Sequence, residues 1–254
     1  MQWLAVSEHG IPAGEEWLVP FELRRVSAYR FTKRRTEYLL RRYAGKRAVA
    51  TALGMPFDPM SLHRIGMLNR MGGAPYAEVD ERPAPFDISL TDRAGHAIAL
   101  LGDPGSMESG SLGVDLEIVE KRSESFVGDY LTAPEQAWVH AQRAVGGQDR
   151  WDFAANLLWS AKEAALKVLR VGLRADTRSV EVDVDLTVRS DGWGHLVMKT
   201  ARGQVFPGWW RRDGIFLLTI ATREPTPPPT LMPGSEDLSM AAPIASWLAN
   251  PRVP

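Results

Sequence analysis

The 254-residue chain contains no cysteine. This absence excludes disulfide bonds, thiolate metal sites and cysteine nucleophiles, and it is typical of proteins from reducing compartments. An excess of either charge is also lacking, because 30 Lys and Arg residues face 31 Asp and Glu residues, for a net charge of −1. This balance argues against a protein whose main role is to bind nucleic acid.

Long hydrophobic runs are missing as well. The most apolar segment, GIFLLTIA at 214–221, has the length of a strand and is too short to cross a bilayer. The first ten residues, MQWLAVSEHG, have neither the basic start nor the apolar stretch of a signal peptide. We therefore expect a cytoplasmic protein that does not associate with membranes.

Hydrophobic periodicity predicts a mixture of helices and strands. Helical regions are expected at about 21–53 and 125–170, the second interrupted near Gly146–Gly147. Because strands and helices do not alternate regularly, the fold class is α+β rather than a doubly wound sheet. The predicted strands are 3–6, 86–90, 96–102, 112–118, 179–188 and 214–221.

A proline-rich segment, EPTPPPTLMPGSED, begins after Arg223 and has the composition of a semi-rigid linker. It leads to APIASWLANP, where Ile244, Trp247 and Leu248 are spaced to form one turn of apolar face. We expect this tail to dock on the body of the protein or on a partner.

Two acids lie on one side of the predicted strand at 112–118. Asp115 and Glu117 are two residues apart, so their side chains project in the same direction, opposite the leucine and valine side chains. Such a pair can bind Mg²⁺, which prefers carboxylate oxygens together with water and phosphate. Two solvated carboxylates on an amphipathic strand would give the same pattern, and the pair by itself leaves both interpretations open.

The segment WSAKEAALK at 159–167 is composed of good helix formers. Trp159, Glu163 and Lys167 recur every four residues and therefore share one helix face. One interpretation is a surface ion pair of about 0.3–0.5 kcal/mol beside a core tryptophan. The other is the helical half of an active site.

Taken together, GVDLE and WSAKEAALK resemble the double signature of 4′-phosphopantetheinyl transferases of the long, surfactin-synthetase-activating type. The resemblance extends over about residues 20–222 and includes Gly113, Asp115, Glu117, Trp159, Lys162, Glu163 and Lys167. It implies an α+β fold of two similar α/β subdomains in a pseudo-twofold arrangement. These subdomains would be 1–111 and 112–223, with 224–254 as linker and tail.

The resemblance also implies a reaction. Such enzymes move the 4′-phosphopantetheine arm of coenzyme A to a serine hydroxyl of an apo-acyl or peptidyl carrier protein and release 3′,5′-ADP. They serve fatty-acid, polyketide or nonribosomal peptide biosynthesis. The implied partners of this chain are coenzyme A and a carrier protein, with no nucleic acid and no membrane, and we expect a monomer.

Catalytic and metal-binding roles follow from the same motifs. Asp115, Glu117 and Glu163 would bind Mg²⁺, for which Mn²⁺ could substitute. Glu163 would also be the general base for the incoming serine, and Lys167 would stabilise phosphate charge. Asp115, Glu163 and Lys167 are therefore the predicted catalytic set.

Residues 24–47 contain ten Lys and Arg residues and one acid. This segment resembles the basic N-terminal helix of the family, although a solvated helix face is the alternative for each of its arginines. The predicted coenzyme A contacts are Arg25, Arg35, Arg42, Lys46, Ser89, Thr91, Lys162 and Lys167.

The sequence departs from the family at two expected cationic contacts. Leu90 stands where the family has a histidine, and Ala74 stands where it commonly has a lysine. Hydrogen bonds to charged groups contribute about 1.5–3 kcal/mol each, so the two losses would weaken coenzyme A binding unless Arg82, Arg93 or His96 compensates. A homologue that binds coenzyme A or a carrier without transfer is therefore an alternative, and a nucleic-acid module built on 24–47 is a more distant one.

Overall fold

The computed structural model describes residues 1–104, 111–171 and 175–246. The chain divides into two compact units of mixed helix and sheet. The first comprises Met1–Ser109, Pro229–Asp237 and Ala241–Pro254, and the second comprises Gly110–Pro228 and Leu238–Met240. The α+β class predicted from the sequence is confirmed. Within the described residues, no helix is long and apolar enough to cross a membrane.

The first unit packs one long helix on a four-stranded sheet. Its elements in chain order are β1 (Gln2–Ser7), α1 (Pro20–Ser27), α2 (Thr32–Ala52), α3 (Pro59–His63), β2 (Ile65–Asn69), β3 (Pro75–Val79), β4 (Arg82–Pro83), β5 (Ile88–Arg93) and β6 (His96–Leu101). The sheet order is β12-β1-β6-β5, where β12 is Thr230–Leu231, and β2-β3-β4 form a separate sheet. Helix α2 covers β1, β6 and β5, and apolar residues of all four elements form a common core.

The second unit also packs one long helix on a sheet. Its elements are β7 (Leu112–Ile118), α4 (Glu124–Tyr130), α5 (Ala133–Leu169), β8 (Val180–Val188), β9 (Gly194–Thr200), β10 (Val205–Asp213) and β11 (Phe216–Thr222). The strand order is β7-β11-β10-β9-β8, and every neighbouring pair is antiparallel. Helix α5 packs mainly on β7 and β11.

The two units share a topology. In each, the first strand pairs antiparallel with the last strand before the tail, and the long helix between them covers that pair. The next neighbour in the sheet is the strand that precedes this last strand, β5 in one unit and β10 in the other. The pseudo-twofold arrangement implied by the resemblance stays a prediction.

Glycines determine two features of the second unit. A Cβ on Gly113 in β7 would lie 1.9 Å from the backbone oxygen of Ala164, so only glycine lets α5 approach the strand this closely. Gly147 adopts φ 66° and ψ −153°, a conformation open essentially to glycine alone, and with Gly146 it interrupts α5. The interruption predicted near Gly146–Gly147 is confirmed.

Several local predictions were incomplete. Strand β10 was missed because Pro207 and Gly208 usually argue against a strand; here a Cβ on Gly208 would lie 2.1 Å from the backbone oxygen of Ile220. Strands β2, β3 and β9 were also missed. The first helical region was expected to extend to about residue 53, but α2 ends at Ala52 and Leu53 is 41% exposed.

The chain after Pro228 is built largely into the first unit. Strand β12 runs parallel to β1, and the backbone N–H of Ile244 donates to the oxygen of Ala94 at 2.8 Å. The imidazole Nε2 of His96 lies 3.0 Å from the oxygen of Ala242. Of the predicted apolar turn, Trp247 and Leu248 lie outside the described residues.

Candidate active site

Asp115 and Glu117 lie on the face of β7 that packs against α5. Asp115 is 7% exposed and Glu117 is 9% exposed, and the opposite face of the strand is buried as well. The alternative interpretation, two solvated carboxylates on an amphipathic strand, is therefore not supported. They are buried carboxylates whose charge has to be compensated by nearby groups.

The carboxylate of Asp115 is bound by two residues of α5. Its Oδ1 accepts a hydrogen bond from Lys167 Nζ at 2.8 Å, and its Oδ2 accepts one from Ser160 Oγ at 2.9 Å. Lys167 Nζ also donates to the backbone oxygen of Val114 at 2.7 Å. The lysine thus forms its ion pair with the acid on the strand, and the interpretation of Glu163 and Lys167 as an ordinary surface ion pair is not supported.

Glu117 is held by an aromatic residue and an arginine. Trp159 Nε1 donates to Glu117 Oε1 at 3.1 Å, and the guanidinium of Arg122 lies 3.7 Å from Oε2. The indole of Trp159 in turn packs edge-on against Phe126 and Tyr130, with ring centroids 5.4 and 5.0 Å away. This packing gives the indole a defined orientation toward the carboxylate.

Glu163 on α5 is the third acid of the cluster. Its Oε1 is buried and has no hydrogen-bond partner among residues 1–104, 111–171 and 175–246. The pKa of Glu163 is raised from 4.5 to about 7, mainly by burial and then by the charge of Asp115; the charge of Lys167 partly opposes this rise, and the charge of Glu117 adds to it. A carboxyl group with this pKa exchanges its proton near neutral pH, which suits a general base.

The donor set fits a hard divalent cation in its chemistry. The charges of Asp115 and Glu117 raise the pKa of Glu163, and within the described residues the buried Oε1 of Glu163 has no hydrogen-bond partner; a bound cation would compensate the charge and satisfy this oxygen. In the arrangement described, however, Lys167 neutralises Asp115, and no three His, Asp or Glu side chains of residues 1–104, 111–171 and 175–246 converge as a metal site. Binding of a cation therefore requires that Lys167 share or release the Asp115 oxygen.

Lys162, the lysine next to Glu163, points away from this cluster. Its side chain is fully buried and lies 2.8 Å from Glu135 Oε2, with further hydrogen bonds to the backbone oxygens of Thr177 and Val180. These three acceptors use all three N–H groups of the ammonium. The prediction that Lys162 contacts coenzyme A is therefore corrected: this lysine connects α5 to the backbone of residues 177–180 at the start of β8.

Lys46 in α2 has an equivalent arrangement. Its side chain is fully buried, lies 2.6 Å from Glu22 Oε2, and donates to the backbone oxygens of Trp17 and Leu62. Glu22 also accepts hydrogen bonds from the backbone of Val19 and Met67, just as Glu135 accepts them from Thr132 and Val182. The prediction that Lys46 contacts coenzyme A is likewise corrected.

The predicted arginine contacts fall into three classes. Arg42 is 6% exposed and donates to the backbone oxygen of Met67 and to Asn69 Oδ1, both at 2.9 Å, which uses two of its five N–H groups, so its contact with phosphate stays a prediction. Arg35 forms an ion pair of 2.5 Å with Glu15. Arg25 lies on the exposed side of α1 and faces the ring of Tyr29 at 5.8 Å, which leaves its guanidinium accessible.

Ser89 and Thr91 lie on β5 with 3% and 5% of their surface exposed. They alternate with Ile88 and Leu90, which pack in the core under α2, so both hydroxyls are on the sheet face that α2 does not cover. Leu90, at the position of the expected histidine, is thereby a core contact of the first unit.

The sequence did not single out Ser160, Thr219 or Arg122 as part of the site. Ser160 lies inside the recognised helix motif, and Thr219 is the one polar residue of the run FLLTIA. A polar residue at the centre of a buried strand requires a hydrogen-bond partner, which is the signal that would have found Thr219.

Residues 111–201 match the family model of the 4′-phosphopantetheinyl transferase superfamily. The matched segment begins at β7, ends just after β9, and contains all three carboxylates and Lys167. The match supports the superfamily and a transferase domain; it lies within the second unit, ends before β10 and β11, and does not extend to the first unit. No curated protein matches the chain.

Proposed function

We propose that this protein transfers the 4′-phosphopantetheine arm of coenzyme A to a serine of an apo-acyl or peptidyl carrier protein. It would act as a cytoplasmic monomer in fatty-acid, polyketide or nonribosomal peptide biosynthesis. The observation that carries the proposal is Glu163: a carboxyl with a buried, unpartnered oxygen and a pKa of about 7, within the segment that matches the superfamily.

Glu163 is the proposed general base. Its carboxylate would accept the proton of the carrier serine, directly or through one water, while the serine oxygen attacks the phosphorus that carries the pantetheine arm. The bond from this phosphorus to the bridging oxygen breaks, and 3′,5′-ADP leaves with the electron pair. Without a bound cation the pKa of this carboxyl is about 7, so the group takes up and releases a proton near physiological pH.

Lys167 is proposed to stabilise the phosphate charge. Its side chain is 29% exposed, so the ammonium reaches solvent while still paired with Asp115. Asp115, Glu117 and Glu163 would hold Mg²⁺, or Mn²⁺ in its place. When bound, the cation would supply positive charge to the pyrophosphate as the leaving group departs. Arg25, Arg35, Arg42, Ser89 and Thr91 remain the proposed coenzyme A contacts in the first unit.

The test is phosphopantetheine transfer measured by intact mass. The purified protein is incubated with coenzyme A, Mg²⁺ and several apo-carrier proteins, and each carrier is weighed. We expect a gain of one phosphopantetheine unit that EDTA abolishes and that Glu163→Gln loses. Glu181→Gln, at an exposed position of β8, is the matched control and should retain transfer. Transfer by Glu163→Gln at the rate of the unsubstituted protein would contradict the role of the base.

One observation favours a second function. Lys46, Arg42 and Lys162 are buried in internal contacts, and Leu90 replaces the expected histidine, so fewer cations are left for coenzyme A than the resemblance implies. A homologue that binds coenzyme A or a carrier protein without transfer would have this composition. Calorimetric coenzyme A binding without mass gain on any carrier would favour this alternative.

A further inference from the structure

A chain of hydrogen bonds connects Asp115 to the neighbouring strand. Ser160 Oγ lies 2.9 Å from Asp115 Oδ2 and 2.8 Å from Thr219 Oγ1. Both hydroxyl residues are completely buried. Asp115 and Thr219 are direct cross-strand partners on β7 and β11, and Ser160 reaches them from α5. Three elements therefore meet at one carboxylate oxygen.

The direction of these hydrogen bonds follows from their chemistry. An ionised carboxylate can only accept hydrogen bonds, so the single hydroxyl hydrogen of Ser160 is donated to Asp115. The bond between the two hydroxyls must then be donated by Thr219 to the Ser160 oxygen. The relay runs from Thr219 through Ser160 to Asp115 Oδ2, while Oδ1 faces Lys167.

The first unit provides an internal comparison. Leu4 and Ala99 are cross-strand partners on β1 and β6, the strands that correspond to β7 and β11. Ala44 precedes the buried Lys46 by two residues, as Ser160 precedes the buried Lys162. Leu4, Ala44 and Ala99 are completely buried in the core of the first unit.

The same strand–helix junction is thus apolar in one unit and hydroxyl-rich in the other. In the first unit the apolar side chains of Leu4, Ala44 and Ala99 fill this position between the helix and the two strands. The packing of a helix on this strand pair therefore does not require hydroxyl groups. The serine and threonine accompany the one copy of the junction that carries an acid. Their role is accordingly linked to Asp115.

We propose that Ser160 and Thr219 are positioning residues that fix the orientation of the Asp115 carboxylate, so that Oδ1 is directed toward Lys167 and the cation. This inference rests on the proposed function, since it concerns a carboxylate proposed to bind Mg²⁺. Residues that orient metal ligands commonly change metal affinity or activity by about 10–100-fold when removed.

The experiment measures Mn²⁺ affinity of the full chain by electron paramagnetic resonance. Ser160→Ala should weaken Mn²⁺ binding about 10-fold. Thr219→Val, which removes only the outer donor, should weaken it about threefold, and Thr219→Ser should restore it. Because Thr219 acts through Ser160, the double variant should bind Mn²⁺ no more weakly than Ser160→Ala alone.

Thr222→Val is the matched control. Thr222 is a buried threonine of the same strand, but its hydroxyl oxygen lies 2.8 Å from the backbone oxygen of Glu224 and 3.1 Å from that of Pro207, so its hydrogen bond goes to the backbone. This variant should lose stability and keep its Mn²⁺ affinity. The thermal midpoint of each variant shows whether a loss of Mn²⁺ affinity comes from a folding defect or from a disordered Asp115 carboxylate. If Ser160→Ala does not fold, the comparison of Thr219→Val with Thr219→Ser tests the positioning role.

Three results would overturn the inference: unchanged Mn²⁺ affinity in folded Ser160→Ala, additive effects in the double variant, or an equal loss in Thr222→Val. If the unsubstituted protein binds Mn²⁺ and transfers phosphopantetheine while Ser160→Ala is unaffected, only the positioning role fails. If the unsubstituted protein neither binds Mn²⁺ nor transfers, the proposed function fails together with this inference.

Discussion

Replacing Glu163 with glutamine should make the metal-free protein more stable at pH 8. The folded state raises the pKa of this carboxyl from 4.5 to about 7. Between these values the folded protein binds more protons than the unfolded chain, so the free energy of unfolding falls as pH rises through this window. The loss of stability caused by ionising the buried Glu163 is absent below pH 4.5, the pKa of this group in the unfolded chain, and is complete above about pH 7. Glutamine has the shape of the neutral acid and avoids the cost.

The stability gain expected for Glu163→Gln is calculated from the same pKa difference. A pKa change from 4.5 to about 7 corresponds to about 3 kcal/mol in the unfolding free energy at pH 8. Because the side chain is partly accessible, solvent screening reduces this to about 1–2 kcal/mol. For a chain of this length, the thermal midpoint should rise by about 2–6 °C.

Urea unfolding and thermal melting in EDTA, at pH 5 and pH 8, would measure this difference. The stability gain of Glu163→Gln should be large at pH 8 and mostly lost at pH 5, and Glu181→Gln should show no gain at either pH. Mg²⁺ should then stabilise the unsubstituted protein and not the variant. A variant less stable than the unsubstituted protein at pH 8, or a gain independent of pH, would refute the reasoning.

Three further predictions concern other contacts. Lys162→Met should destabilise the protein by about 3–5 kcal/mol in urea unfolding, since it leaves a buried carboxylate without its cation. Gly113→Ala should destabilise by about 1–3 kcal/mol or more and reduce transfer, because the added Cβ collides with the backbone of α5. Gly128→Ala, which meets no atom within 4 Å, is its control. Arg42→Ala should lower the thermal midpoint, whereas Arg25→Ala should leave it unchanged and raise the KM for coenzyme A; equal midpoints would contradict the structural role of Arg42.

Much of the candidate site was accessible from the sequence because its signals are local. Asp115 and Glu117 are two residues apart on a strand, and Glu163 and Lys167 are four residues apart on a helix. Each pair therefore shares one face of its element, whatever the rest of the fold is. Glycine chemistry predicted the interruption of α5 in the same way, since the conformation of Gly147 depends on its own backbone.

The partners of the charged residues could not be predicted, because they come from distant parts of the chain. Lys167 meets Asp115 across 52 positions, and Arg42 meets Asn69 across 27. Whether a lysine lies in solvent or is fully buried depends on which segment is folded over it. Nothing in the local sequence distinguishes the fully buried Lys46 and Lys162 from the partly exposed Lys167.

The sequence by itself determined the α+β class, the two acid-bearing motifs and the family they resemble, since these depend on periodicity and residue type within a few turns. Only the tertiary structure decided that the acids face α5, that two motif-like lysines are internal, and that Ser160 and Thr219 bind Asp115. The physical reason is that burial and hydrogen-bond partners are set by contacts between elements, and these contacts gave Glu163 its pKa of about 7.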